Sequence, residues 1–185
     1  MLKKRIIPKF LLRDGRLVKY RQFFDDERRA GNPVSTAKVY NDYGADEFIV
    51  LDIVPSEESK AKVRDIVKTM SEEIFMPFTV GGGVTSLDDV NGLLRAGADK
   101  VSVNSYAVRN PSFVAEAARA FGDQCMAVSI DYKEVSPGVP RVFIDGGREK
   151  TSHNPVDWAL RTQDSNCGEI LLTSIDRDGM MSGYD

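Results

Sequence analysis

Short apolar runs of strand character alternate with amphipathic stretches of helix character along almost the whole chain. Arg5–Pro8 opens the pattern, and a parallel strand is expected near residues 5–10. Asn32-Pro33 sets a capping side chain before a first-turn proline, and Val34–Tyr43 carries that helix to Gly44. Glu47–Asp52 (EFIVLD) reads as a buried strand and Ser56–Glu73 as a charged helix with apolar Ala61, Val63, Ile66 and Val67. Met76–Val80 is a strand running into Gly81-Gly82-Gly83, and Ser86 caps a helix over Leu87–Ala96. Lys100–Asn104 is the next strand, followed by a helix from Pro111 to about Phe121. Strands at Cys125–Asp131 and Glu169–Ser174 flank a helix from Asn154-Pro155 through Arg161. The longest irregular stretch, Tyr132–Ser152, fits a short hairpin. Strands separated by helices at this spacing join as right-handed βαβ units in a parallel sheet.

The pattern repeats itself. Gly44-Ala45-Asp46-Glu47-Phe48-Ile49-Val50-Leu51-Asp52 is similar to Gly97-Ala98-Asp99-Lys100-Val101-Ser102-Val103-Asn104-Ser105, and Asn166–Ser174 keeps the same scheme. Two explanations stand side by side: a helix-to-strand junction wants a glycine cap and then an apolar run, or a βα unit has been duplicated. Both favour a (β/α) barrel with about six βα units over a doubly wound nucleotide fold, whose G-x-G-x-x-G after the first strand is missing.

Composition removes other classes. At 185 residues the chain is one domain, 1–185, or one domain cut short. A net charge of −3 argues against a dedicated nucleic-acid binder. No apolar run approaches the ~20 residues of a membrane helix. Met1–Arg5 begins like a signal peptide, but Pro8, Lys9, Arg13 and Asp14 break up the apolar stretch a signal peptide needs next, so a cytoplasmic location is expected. Two cysteines, Cys125 and Cys167, make neither a disulfide framework nor a zinc cluster, and the single His153 removes most histidine-based metal sites and classical triads. Neither a metal nor a cofactor is expected, and the chemistry falls to Asp, Glu, Lys, Ser, Thr and backbone.

Backbone N–H groups of Gly81-Gly82-Gly83, with the helix start after them, suit a phosphate, although a plain tight βα turn would look the same. Asn104-Ser105 at the next strand end strengthens the phosphate reading, because neighbouring strand ends of a barrel share one rim. Asp52, Asp131 and Ser174-Ile175-Asp176-Arg177-Asp178-Gly179 also end strands, where acids are either catalytic or helix caps. Arg5, Glu47, Lys100 and Glu169 mark the opposite strand ends, as a salt-bridged closing layer or as something more.

Taken together, these segments resemble the cyclase subunit of imidazole glycerol phosphate synthase. The carriers are Lys4-Arg5-Ile6-Ile7-Pro8, Asp14–Lys19 (DGRLVK), Phe78–Val84 (FTVGGGV), Leu94–Ser105 (LRAGADKVSVNS) and Gly168–Gly179 (GEILLTSIDRDG), and the likeness covers the whole chain. The resemblance implies a (β/α)8 barrel of two similar halves. It receives ammonia from a glutaminase partner at the barrel bottom and joins it at the top to a ribulosyl-type bisphosphate, a phosphorylated small molecule. The products are an imidazole glycerol phosphate, for histidine, and an aminoimidazole carboxamide nucleotide, for purines. It further implies that Gly82, Gly83, Asn104 and Ser105 hold one phosphate and that Thr173, Asp178 and Gly179 lie by the other half of the substrate. Lys19 would ride on a mobile loop after the first strand, and Asp131 would be one of two acid/base aspartates. Arg5, Glu47, Lys100 and Glu169 would form the ammonia gate, with Asp99 near the partner-facing rim.

The chain departs from that pattern twice. The family's other catalytic aspartate, three residues after the proline, is Leu11 here, and leucine transfers no proton. The chain also ends at Asp185, so a partial barrel without the last two βα units is expected. Two further readings stand beside the cyclase: a paralogue amidating a nucleotide-linked sugar in surface-polysaccharide synthesis, and an inactive or binding-only fragment.

Overall fold

Proline decides where the first strand begins. Pro8 has no N–H and cannot complete a ladder. The flanking residues still run beside the next strand: Ile6 and Asp46 exchange bonds, and the Pro8 carbonyl accepts from Ile49 N at 2.9 Å. In the computed structural model, which describes residues 4–184, regular structure therefore starts later than expected, at β1 (Lys9–Arg13). Met1, Leu2, Lys3 and Asp185, on which the readings of the two chain ends drew, lie outside the described residues.

After β1 comes a hairpin in place of the expected loop. Asp14 and Gly15 both take positive φ, +51° and +74°, as the two-residue hairpin turn of an Asp-Gly pair requires. β2 (Arg16–Arg21) then returns antiparallel, pairing Leu11 with Val18 and Arg13 with Arg16. β3 (Asp25–Arg29) comes next, with five charged, exposed residues. Lys19, expected on a loop, thus stands within β2. The chain continues through α1 (Pro33–Asp42), β4 (Phe48–Asp52), α2 (Glu57–Glu73), β5 (Phe78–Gly81), α3 (Leu87–Arg95), β6 (Lys100–Val103), α4 (Ser105–Arg109) and α5 (Ser112–Phe121). It ends with β7 (Met126–Ser136), β8 (Val139–Ile144), β9 (Glu149–Lys150), α6 (Pro155–Asp164) and β10 (Glu169–Ser174). The caps read from the sequence are made: Asn32 accepts from Ser35 N, Ser86 from Asp89 N and Asn154 from Val156 N.

The chain divides into two compact units. The first holds the residues up to Val18 together with Arg29–Val101. Here β4 runs parallel to both β1 and β5. Phe48 stacks on Phe78 at 5.0 Å between ring centres, and Phe10 touches Phe48 and, on α1, Tyr40. That face of the strands packs large apolar groups, while α2 buries Val63, Val67 and Met70. Fully burying side chains of this size contributes roughly 1.5–3 kcal/mol each. Strand alternation sends Leu11, Leu51 and Gly81, neighbours in register, to the other face.

The second unit holds Lys19–Arg28 and everything from Ser102 onward. β10 runs parallel to β7, β8 antiparallel to β7, and β9 antiparallel to β8. The hairpin expected within Tyr132–Ser152 is formed by β7, which runs on to Ser136, and β8, which turns back antiparallel to it. α5 buries Phe113, Val114, Ala117 and Ala118, and α6 buries Trp158 and Thr162. The short α4 has no counterpart in the expected pattern. These parallel strands with intervening helices are the α/β architecture that the alternation implies. Among the described residues, no helix is long and apolar enough to cross a membrane.

Candidate functional site

In β7 the apolar run Met126–Ile130 ends in a carboxylate. Asp131 is only 8% exposed. In register opposite it stands Thr173 of β10, so strand geometry puts both side chains on one face. The backbone leaves β6 at Asn104 with φ −120° and ψ −95°, outside the regular helical and strand regions. From there the Asn104 side chain donates from Nδ2 to Asp131 Oδ2 at 2.6 Å. The other end of that amide, Oδ1, is buried with no hydrogen-bond partner among the described residues. A buried acceptor left unsatisfied is costly, and this one suits an N–H or O–H brought by a ligand. Asn104, expected on a phosphate, is thus bound to the catalytic candidate itself.

Ser105 begins α4, and its Oγ accepts from Asp145 N at 2.9 Å. Arg109 Nη2 reaches Asp145 at 2.5 Å and Glu149 at 2.9 Å. The Arg109 guanidinium holds the Asp145 carboxyl below its ordinary range. Sequence reasoning misses this cluster, since its members are 36 and 40 residues apart.

The segment after β10 meets the hairpin after β1. Gln22 N donates to the Asp178 carbonyl at 2.9 Å, and Gln22 Nε2 to the Asp176 carbonyl at 2.8 Å. Gly179 has φ +71°, and a Cβ there would lie 2.4 Å from the Tyr20 carbonyl oxygen, so only glycine lets the chains approach this closely. Lys19 is the residue before Tyr20. The second unit thus contains Lys19, Asn104, Ser105, Asp131, Thr173, Asp178 and Gly179.

Gly82 and Gly83 belong to the first unit. A Cβ on Gly82 would lie 2.3 Å from the Asp52 carbonyl oxygen, and one on Gly83 would lie 2.5 Å from Pro55 Cβ. The glycines are needed by the turn whether or not a phosphate binds. Lys60 reaches Asp89 across this turn at 3.3 Å, and Asp89 also accepts from Thr85 N at 3.0 Å. Burial pushes the Asp89 carboxyl up, but the Thr85 N–H and the Lys60 ammonium together hold it below its ordinary value. Asp52, a catalytic candidate by position, is occupied structurally: it accepts from Ser59 Oγ at 2.7 Å and from Val54 N at 3.2 Å.

At the other end of the strands, Glu47 is 7% exposed and enclosed by cations. Arg5 Nη1 donates to Glu47 Oε1, and Lys100 Nζ lies 3.1 Å from the same oxygen. Burying such a pair is costly and is weak evidence for stability alone. The structure brings Arg5, Glu47 and Lys100 together, while Glu169 opens β10 in the second unit. Asp99 is used locally, accepting from Phe78 N at 2.9 Å. Among the described residues, no group of three or more His, Cys, Asp or Glu is placed to hold a metal ion.

Parallel strands with intervening helices and polar side chains along one face define an α/β protein of the kind that can carry a site at its strand ends. The profile of the family described as "Histidine biosynthesis protein" matches residues 5–185, and the chain belongs to that family. It is 50% identical over 185 residues to "Imidazole glycerol phosphate synthase subunit HisF" of Alkaliphilus metalliredigens (strain QYMF), and 51% identical to the protein of the same name from Hydrogenobaculum sp. (strain Y04AAS1). Each likeness covers all of this chain and 73% of the relative.

Proposed function

We propose that the chain is the cyclase subunit of an imidazole glycerol phosphate synthase, a lyase that closes an imidazole ring with ammonia delivered by a glutaminase subunit. The observation that carries this, beside the whole-chain identity to proteins of that name, is the Asp131 carboxylate: buried, gripped by Asn104 and level with Thr173. Ring closure needs a proton taken and a proton given. Asp131 is the proton-transfer group, Asn104 fixes its oxygen, and Thr173 offers a hydroxyl on the same face. In the first unit Gly82 and Gly83 are assigned to phosphate binding, and in the second unit Ser105, Lys19, Asp178 and Gly179 are assigned to the ribulosyl-type bisphosphate. Arg5, Glu47, Lys100 and Glu169 are assigned to ammonia entry.

The test is turnover of the bisphosphate with an ammonium salt in place of the partner. Product should form slowly in the natural protein, where Leu11 leaves one proton-transfer position empty of chemistry, and faster in Leu11→Asp. No ammonium-dependent product from either protein would overturn the assignment.

A further inference from the structure

The turn from β8 into β9 begins with three successive residues of positive φ: Asp145 at +54°, Gly146 at +63° and Gly147 at +82°. Glycine adopts this backbone freely, but Asp145 does so at a cost, so contacts from outside the turn have to fix it. α4 supplies them from its first and last residues, Ser105 and Arg109, whose spacing puts them on one helix face. Ser105 Oγ accepts from Asp145 N at 2.9 Å. A single nitrogen of Arg109, Nη2, donates to Asp145 Oδ2 at 2.5 Å and to Glu149 Oε2 at 2.9 Å, so the guanidinium spans the turn from one end to the other. Arg109, Asp145 and Glu149 are all exposed, and an ion pair in water contributes little to stability. What the clamp does fix is a direction. A hydroxyl carries one donor and two acceptor positions. With one acceptor position of Ser105 taken by the Asp145 N–H, its own O–H points away from the turn and is left to donate to a ligand oxygen.

We propose that Arg109 is a positioning residue for the substrate phosphate: it holds the Asp145 N–H on Ser105 and so aims the Ser105 hydroxyl at a phosphate oxygen. The inference rests on the cyclase reading above, which assigns Ser105 to the bisphosphate. Arg109 is not itself the cation that meets the phosphate, because its charge is already matched by two carboxylates. Its effect passes through Ser105, and that separates it from a general electrostatic one.

The probe is inorganic phosphate, titrated while the amide NMR signals of positions 105 and 145 are followed. The proteins are the natural chain, Arg109→Ala, Arg109→Lys, Ser105→Ala and the variant carrying both alanine changes. Arg109→Ala should weaken phosphate about tenfold. Arg109→Lys should recover most of that loss, since one ammonium can serve both acids. In the Ser105→Ala background, Arg109→Ala should weaken phosphate no further. In ammonium-supported turnover Arg109→Ala should raise KM for the bisphosphate by the same factor and keep kcat, because the Asn104–Asp131 contact is untouched. Should Arg109→Ala not fold, Asp145→Asn loosens the same clamp, keeps the N–H, tolerates positive φ and carries the same expectation. Equal phosphate affinity of the natural and Arg109→Ala proteins overturns the proposal. So does a natural protein whose two amides do not respond to phosphate, or an Arg109→Ala loss that is undiminished without the Ser105 hydroxyl. Absence of ammonium-dependent product strikes the cyclase reading instead, and the phosphate titration still decides the role of Arg109.

Discussion

β4 ends on a buried aspartate, Asp52, and β7 carries another at its middle, Asp131, and the two are held differently. Asp52 is in phase with Phe48 and Val50, on the face that packs large apolar groups. Its oxygens accept from Val54 and Ser59, which the chain supplies within seven residues as α2 begins. Asp131 is in phase with Ala127 and Ser129, small or polar, and its amide donor Asn104 lies 27 residues away. A strand acid is structural when it shares the packed face and its donors come with the adjoining turn. It is a candidate for chemistry when it shares the face of small and polar residues and is held by remote ones.

The largest expected effect tests that distinction directly. Asp131→Asn keeps shape and the Asn104 contact but removes the carboxylate proposed to transfer the proton, so ammonium-supported turnover should fall about 10²–10⁴-fold, with thermal stability nearly unchanged. Asp52→Asn in the same assay should leave the rate within about tenfold. Equal rate losses in the two variants would show that strand face does not separate the roles.

Next comes Leu11→Asp. Leu11 is level with Leu51 in β4, which is level with Gly81 in β5, on the face opposite Asp52. A carboxylate there would supply the second proton-transfer group that the proposed function calls for, and turnover should rise about 10²-fold. A natural Leu11 protein already working at ordinary enzyme rates, with no gain from the aspartate, would mean that Asp131 does not need a second carboxylate at this position.

The third effect is on stability. Asp52→Ala strands the Val54 N–H and leaves the Ser59 hydroxyl to the Ser56 carbonyl at 3.1 Å near the start of α2, at a cost of about 1–3 kcal/mol. Urea unfolding should show it as a lower midpoint at constant slope. An unchanged midpoint would contradict the structural role given to Asp52.

Much of this is legible in local sequence. Asn32-Pro33, Ser86 and Asn154-Pro155 announce helices because capping is settled within three residues. The parity that separates Asp52 from Asp131 is equally present, in EFIVLD against MAVSID. What escapes depends on distant partners or weak patterns. β3 is wholly charged and β7 continues through Lys133-Glu134-Val135-Ser136, so neither extension carries an apolar rhythm. The β1–β2 turn does leave a signal, Asp14-Gly15 between apolar runs, and a hairpin could have been expected from it. Asn104 on Asp131 and Arg109 on Asp145 are tertiary pairings with no local trace.

The smallest expected effect concerns the turn beside Asp52. Asp89 accepts from Thr85 N and from Lys60 beside Gly82-Gly83. Burial opposes its ionisation, yet the Thr85 N–H and Lys60 prevail and its folded-state value lies below the ordinary carboxyl value. A carboxyl depressed on folding stabilises the fold fully above its unfolded value, near pH 4, and loses that contribution as pH falls through the lower folded-state value. Comparing natural protein with Asp89→Asn by urea unfolding should therefore show a constant stability difference above about pH 5 that shrinks below pH 4. A difference that does not change with pH would mean Asp89 acts through its hydrogen-bonding shape alone. The end of β4 would then be held by geometry without charge, which would sharpen its contrast with Asp131 in β7, the residue assigned above to proton transfer.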